Sequence, residues 1–248
     1  MHLLIVNHHY YRDEPKSRSI FPSTQQSLDA SIEVLNSHGW RFIDENLLCQ
    51  SINNNLFPMG KHVFFTFDDG LKEQMNAYHH LLSKGIQALF YPSTMTIGSK
   101  SLLDVHQLHY LRHKISDEDI ISSLPSIHKN NINILQQDLC NSQYRYDCPS
   151  AAKLKYYINF YISAAKRKCL LNSLYEIFHL DQEHIAKNLY MDVHDLKSLS
   201  QSSSIGSHSH SHRPLAILDT DDLREELTLS KHVLEDITGS RIRGISYP

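Results

Sequence analysis

The chain has 248 residues, with 24 Lys and Arg against 27 Asp and Glu, so its formal net charge is −3. That balance gives no electrostatic case for binding nucleic acid or an anionic membrane. The sequence contains no apolar run near the roughly 20 residues that cross a bilayer, and its length is enough to bury one large core.

The first hundred residues alternate between strand and helix patterns. Residues 2–6 predict a buried strand, and Ser23 with Gln26 forms a capping box that predicts the start of a helix. A second short strand is predicted at residues 40–43. This alternation favours a parallel α/β sheet or barrel.

Two neighbouring carboxylates follow the most apolar strand. Residues 63–67 predict a buried strand, and Asp68, Asp69 and Gly70 come directly after it. Adjacent carboxylates repel each other when both are ionised, and a cation, an arginine or a retained proton usually relieves that repulsion. A metal ion is the obvious candidate, although a plain surface turn would use the same residue types.

A long helical region then interrupts the alternation. Residues 71–84 predict a helix and residues 86–91 a strand, but from about residue 104 to 197 the apolar residues fall mainly at helical spacing. The region contains many tyrosines, which could form a ligand-stacking lid or a dimer surface. Packing between helices is the favoured interpretation, because aromatic residues at helical spacing are usually core residues.

Three histidines lie within five positions near the C-terminus: His208, His210 and His212. His208 and His212 could reach one ion if the segment forms a helical turn, with His210 pointing elsewhere. Neutral imidazole together with carboxylate suits a catalytic zinc ion with an open position. The alternative is a solvated polar loop.

The remaining C-terminal residues predict a helix at 219–237, ended by Gly239, and a further strand at 241–247. The four cysteines show no paired CxxC spacing, and the N-terminus lacks the pattern of an export signal. Free thiols in a reducing cytoplasm are therefore expected.

Two of these motifs together resemble the polysaccharide deacetylase family, also called the NodB-homology domain or carbohydrate esterase family 4. Residues 66–70 match the family's Thr-Phe-Asp-Asp-Gly motif, and residues 208–212 match its His-Ser/Thr-x-x-His motif. The resemblance implies that Asp68 is the catalytic base. It also implies that Asp69, His208 and His212 bind a divalent metal, most simply zinc, while Ser209 holds the histidine loop by hydrogen bonds.

The resemblance implies an α/β fold of the distorted (β/α) barrel type. We expect a single catalytic domain over residues 1–248, with a mostly helical insertion at about 104–197 between the metal-binding motifs. Residues 245–248 resemble the family's third motif, but Ser246 stands where the commoner form has an arginine. A later motif that supplies the general acid is not in the sequence, so we expect a barrel that lacks its C-terminal part.

The activity implied is metal-dependent hydrolysis of an N-acetyl group on an amino sugar or glycan intermediate, located in the cytoplasm. Two alternatives stay open: a non-catalytic sugar-binding or scaffold protein, and a metal-dependent O-acetyl esterase. The expected partners are an acetylated sugar or glycan and no nucleic acid, and assembly as a homo-oligomer is left open.

Overall fold

The protein is described here by a computed structural model. The structure describes residues 2–13, 20–56, 58–98 and 100–248. The chain forms two compact units: the first contains residues 1–16, 21–101 and 183–248, and the second contains residues 17–20 and 102–182. None of the described helices has the length and apolar character that crossing a bilayer requires.

A parallel β-sheet is the centre of the first unit. Its strands are β1 (His2–His8), β2 (Trp40–Phe42), β3 (Lys61–Asp69), β4 (Ala88–Pro92) and β5 (Ser204–Ile205). The strand path runs β1-β3-β4-β5, and β2 also pairs with β3. The predicted α/β fold with a parallel sheet is confirmed, and in the described residues this path does not close into a ring.

Strand β3 is buried along almost its whole length, as a central parallel strand covered on both faces should be. Val63, Phe65 and Phe67 are fully buried, and the ring of Phe67 stacks on that of Phe90 in β4 with centroids 4.9 Å apart. This apolar packing fixes the position of the strand's C-terminal end.

Helices and turns complete the first unit. They are α1 (Gln25–Ser37), α2 (Glu45–Asn53), α3 (Gln74–Ser83), most of α10 (Gln182–Leu189), α11 (Val193–Leu199), α12 (Thr220–Thr238) and two short 3₁₀ turns (Thr94–Thr96 and Leu215–Ile217). The predicted final helix is confirmed: Asp219 caps α12 at its start, and Gly239, with φ of 65°, ends it.

The second unit is made of helices. They are α4 (Asp104–Lys114), α5 (Asp117–Ser123), α6 (Ser126–Ile134), α7 (Gln137–Gln143), α8 (Pro149–Tyr156), a π-helical turn (Tyr157–Tyr161) and α9 (Ala164–Ile177). The helical character predicted for residues 104–197 is confirmed, but residues 183–197 lie in the first unit. There the backbone N–H of Lys72 donates to the carbonyl of Leu189, and that of Met191 donates to the carbonyl of Gly70.

The start of α1 differs from the sequence prediction. Thr24 caps the helix, and its side chain pairs with Ser27 in a capping box one residue later than the predicted Ser23 and Gln26. Ser23 instead forms a parallel bridge with Tyr11, and its hydroxyl lies 2.8 Å from Nδ1 of His8. Because Ser23 is held by these contacts, the helix begins after it.

A buried ion pair joins α4 and α5 in the second unit. The guanidinium of Arg112 donates to both carboxylate oxygens of Asp117, at 2.6 and 3.1 Å, and both residues are buried. Asp147 lies 3.7 Å from the same guanidinium and accepts a hydrogen bond from Lys155. The pair is buried and well satisfied, so removal of one partner would leave an uncompensated charge.

We therefore expect Asp117→Asn to lower the free energy of unfolding by about 3–5 kcal/mol. The exposed Asp138 serves as the matched control, and Asp138→Asn should cost less than about 1 kcal/mol. Urea denaturation of the parent and both variants measures the difference. Equal midpoints for the two variants would contradict the proposed importance of the pair.

His8 at the end of β1 is held as a neutral imidazole. Its ring packs on Phe65 and Phe67, with centroids 5.3 and 5.1 Å away. Burial, together with the nearby His9, lowers the pKa of His8 to about 4 from the model-compound value of 6.5. The folded state therefore binds this proton less readily than the unfolded state.

Because the pKa is lower in the folded state, the stabilisation is complete above pH 6.5 and is lost as the pH falls towards 4. The expected loss is roughly 1–3 kcal/mol. His8→Phe keeps the aromatic packing and removes the titration. Unfolding measured between pH 7 and 4 should show a shallower pH dependence for this variant than for the parent, and parallel curves would contradict the prediction.

Candidate active site

Strand β3 delivers two carboxylates to the C-terminal edge of the sheet. Asp68 and Asp69 are its last residues, and their exposures are only 3% and 4%. Asp69 has φ of 77° and Gly70 has φ of 69°, so the chain reverses sharply here. A Cβ atom on Gly70 would lie 2.7 Å from Cβ of Pro92, which only glycine avoids.

Strand β5 carries the histidine segment to the same edge. The N–H of Gly206 donates to the carbonyl of Phe90, and that of His208 donates to the carbonyl of Pro92. A Cβ atom on Gly206 would meet the ring of Tyr91 at 2.2 Å. The close approach of β5 to β4 therefore depends on glycine at position 206.

Three of the residues predicted to bind metal come together. Nε2 of His208 lies 3.5 Å from Oδ1 of Asp69, and Nε2 of His212 lies 3.2 Å from the same oxygen. One ligand atom from each residue lies within 4.8 Å of the others. His210 points away, and its Nδ1 is 2.8 Å from the hydroxyl of Thr94.

The histidine segment does not form the helical turn that we considered in the sequence. It is a loop in which Ser209 and His212 have φ of 63° and 59°, a left-handed conformation that is uncommon for residues other than glycine. The side chain of Ser209 accepts the N–H of His212 at 3.1 Å. This hydrogen bond across the loop, rather than helical spacing, sets the position of His212.

A hydrogen bond on the side away from Asp69 fixes the orientation of the His208 ring. Its Nδ1 lies 2.9 Å from the carbonyl of Ser246, and since a carbonyl only accepts, Nδ1 must carry the hydrogen. In the neutral ring, Nε2 is then the nitrogen that carries the lone pair, and it lies on the side of Asp69. Burial lowers the pKa of His208, but the carboxylates of Asp69 and Asp68 more than offset this, so the pKa is raised overall.

Asp68 is held by neutral donors. Its Oδ2 accepts hydrogen bonds from the side-chain amide of Asn7 at 2.8 Å and from the hydroxyl of Ser246 at 3.0 Å. Its Oδ1 is buried and has no hydrogen-bond partner among the described residues. Arg243 donates instead to Asn46, so Ser246 occupies the position beside the carboxylate.

Residues of α12 that were not predicted from the sequence hold the histidine loop. The buried carboxylate of Glu226 accepts the N–H groups of His210 and Ser211, at 2.9 and 2.8 Å, and the hydroxyl of Ser211. Ser230, one helical turn later, lies 2.7 Å from the hydroxyl of Ser207. Polar residues four apart on the buried face of an amphipathic helix were the available signal.

The 3₁₀ turn at Thr94–Thr96 and the preceding Ser93 also hold the histidine loop. The N–H groups of Thr94 and Met95 donate to the carbonyls of Ser209 and His210, and the hydroxyl of Ser93 donates to the carbonyl of His208. The loop is therefore fixed by backbone hydrogen bonds as well as by Glu226.

The donor set suits a divalent cation. One carboxylate and two imidazoles converge, with the protonated nitrogen of His208 turned away, and the neighbouring Asp68 adds negative charge that attracts a cation. A second cluster, Asp192, His194 and Asp195, lies at the start of α11. Its carboxylates cap that helix and face Lys72, which accounts for them without an ion.

The family model described as polysaccharide deacetylase matches residues 176–248, which include the histidine loop. A search of curated proteins found no match. The deacetylase PplD of Streptococcus pyogenes, solved with acetate, superposes with a TM-score of 0.57 at 14% identity, over 100% of this chain and 74% of that one.

The fold is that of the polysaccharide deacetylases. IcaB from Ammonifex degensii gives a TM-score of 0.56 at 15% identity, covering 100% of this chain and 76% of its own. A de-N-acetylase from Aggregatibacter actinomycetemcomitans gives 0.56 at 12%, covering 99% and 79%. The resemblance to the polysaccharide deacetylase family predicted from the two motifs is confirmed.

We expect the hydrogen bonds of Glu226 to order the histidine loop. Glu226→Ala should speed amide hydrogen exchange at His210 and Ser211 and lower the free energy of unfolding by about 1–3 kcal/mol, because buried N–H groups lose their acceptor. The exposed neighbour Glu225 gives the matched control. Unchanged exchange at both amides in Glu226→Ala would contradict this role.

Proposed function

We propose that the chain is a metal-dependent hydrolase that removes an N-acetyl group from an amino sugar of a glycan. The observation that carries the proposal is the meeting of Asp69, His208 and His212 beside a buried carboxylate, Asp68, whose Oδ1 has no hydrogen-bond partner in the described part of the chain. The polysaccharide deacetylase fold supports an acetylated sugar as the substrate class.

Asp69, His208 and His212 would hold the cation, and an oxygen and two nitrogens are the donor types that catalytic zinc uses. When bound, the cation supplies a Lewis acid that polarises the acetamide carbonyl and makes a water molecule more acidic. The backbone contacts of the histidine loop keep both imidazoles in place. The carbonyl of Ser246 keeps Nε2 of His208 available as a ligand.

Asp68 would act as the general base. Its Oδ2 is occupied by the donors from Asn7 and Ser246, so Oδ1 is the oxygen that accepts the proton from the attacking water. Burial of the carboxylate excludes bulk water from this proton transfer. Asp68 and Asp69 both end β3, and both carboxylates act on His208, so the proposed base lies close to the proposed cation site.

Metal binding is the first test. The purified chain should bind about one equivalent of zinc, and Asp69→Ala and His208→Ala should each lose most of that affinity. His210→Ala is the matched control in the same loop, because its ring turns to Thr94, and it should still bind. Titration calorimetry distinguishes these cases, and equal zinc affinity in all four proteins would rule out the proposed ligand set.

Catalysis is tested separately. With acetylated glucosamine oligomers as substrate, Asp68→Asn should keep most of the zinc affinity, because the three ligands remain, but lower kcat at least 100-fold, the usual contribution of a general base. Release of free amine supports the proposal. Release of free alcohol from an O-acetylated sugar instead would indicate an esterase, and binding without any product would indicate a sugar-binding protein.

The cytoplasmic location stays a prediction from the sequence, and the question of assembly as a homo-oligomer stays open. Neither affects the chemistry above, because every proposed catalytic and metal-binding residue comes from the first unit of one chain.

A further inference from the structure

The base carboxylate is held asymmetrically. Both hydrogen bonds to the carboxylate of Asp68, from Asn7 and Ser246, reach Oδ2, whereas Oδ1 is buried without a partner among the described residues. A carboxylate turns readily about its terminal torsion, which has only broad preferences. Something must therefore select which oxygen faces the reacting water.

Asn7 is suited to that selection because its amide is itself fixed. A carboxylate only accepts hydrogen bonds, so Nδ2 of Asn7 must face Asp68 and Oδ1 must face the other way. There the hydroxyl of Thr66 donates to Oδ1 of Asn7 at 3.0 Å. Thr66 is buried, so its hydroxyl has a restricted choice of partners.

The register of the sheet creates this chain of contacts. Asn7 in β1 lies directly opposite Thr66 in β3, and Asp68 follows Thr66 by two residues on the same face of the strand. The hydrogen bonds therefore run from Thr66 to Asn7 and from Asn7 to Asp68. A shift of one residue in this pairing would turn the amide to the other face.

We propose that Asn7, oriented by Thr66, is a positioning residue that holds Oδ2 of Asp68 and so leaves Oδ1 as the oxygen that accepts the proton. The inference rests on the proposed function, since it gives Asp68 the role of base. It concerns orientation only: Asn7 leaves the cation ligands untouched, and it acts on the rate of proton transfer through the Asp68 carboxylate.

The test uses the zinc-loaded chain, with kcat and KM measured on an acetylated glucosamine oligomer. Asn7→Ala should lower kcat about tenfold, the value of one hydrogen bond to a charged group. KM should stay within about twofold and zinc affinity should not change. Asn36→Ala, on the exposed face of α1, is the matched control and should behave as the parent.

Thr66→Val makes the test specific, because it keeps the shape of the side chain and removes only the hydroxyl. It should lower kcat about threefold in the parent and have no further effect in Asn7→Ala, since Thr66 acts through Asn7. Additive losses would overturn the chain of contacts. A rise in KM with kcat unchanged would show that Asn7 binds substrate instead.

A structural measurement separates this inference from the proposed function. The side-chain amide resonances of Asn7 should shift in the NMR spectra of Asp68→Ala and Thr66→Val relative to the spectrum of the parent. If the parent hydrolyses no acetylated sugar, the proposed function fails and these resonances decide the positioning alone. If the Asn7 resonances shift in neither variant, the positioning role of Asn7 is wrong, whether or not the chain is active.

Discussion

The structure depends on satisfying two adjacent buried carboxylates at the end of β3. Asp68 and Asp69 are almost inaccessible to solvent, and an ionised carboxylate without compensation is costly to bury. The protein meets this constraint differently for each. Asp68 receives two neutral hydrogen bonds on one oxygen, whereas Asp69 faces two imidazoles. The unequal treatment separates the two proposed roles: Asp68 keeps one oxygen without a hydrogen-bond partner in the described part of the chain, and Asp69 lies in a group of side chains that could hold a cation.

The histidine loop supplies the imidazoles that face Asp69. Its backbone is held in an uncommon conformation. Ser209 and His212 have positive φ, which persists only where surrounding contacts impose it. Those contacts come from two sides of the first unit: the carboxylate of Glu226 in α12, and the turn at Thr94–Thr96 that follows β4. A loop fixed in this way can present two imidazoles without reorganising when a cation binds, which lowers the cost of binding.

Sequence similarity and fold similarity extend over different parts of this chain. The family model matches residues 176–248, whereas the superpositions on solved deacetylases span essentially the whole chain at 12–15% identity. The carboxylate pair therefore lies outside the region of detectable sequence similarity to the family model. In this chain, packing of β3 between β1 and β4 holds the pair in place.

The sequence by itself determined the parallel α/β class, the helical character of the second unit, and the residue types at the candidate site. Apolar periodicity encodes the first two, and the short motifs at residues 66–70 and 208–212 carry the third. Only the tertiary structure decided how the site is held. The site is held by Glu226 from α12, by Asn7 from β1 and by Ser246 from the C-terminal segment. Ser23, predicted to cap α1, contacts His8 instead. These contacts join residues far apart in sequence, so local periodicity and motif spacing do not predict which of these residues pair with one another.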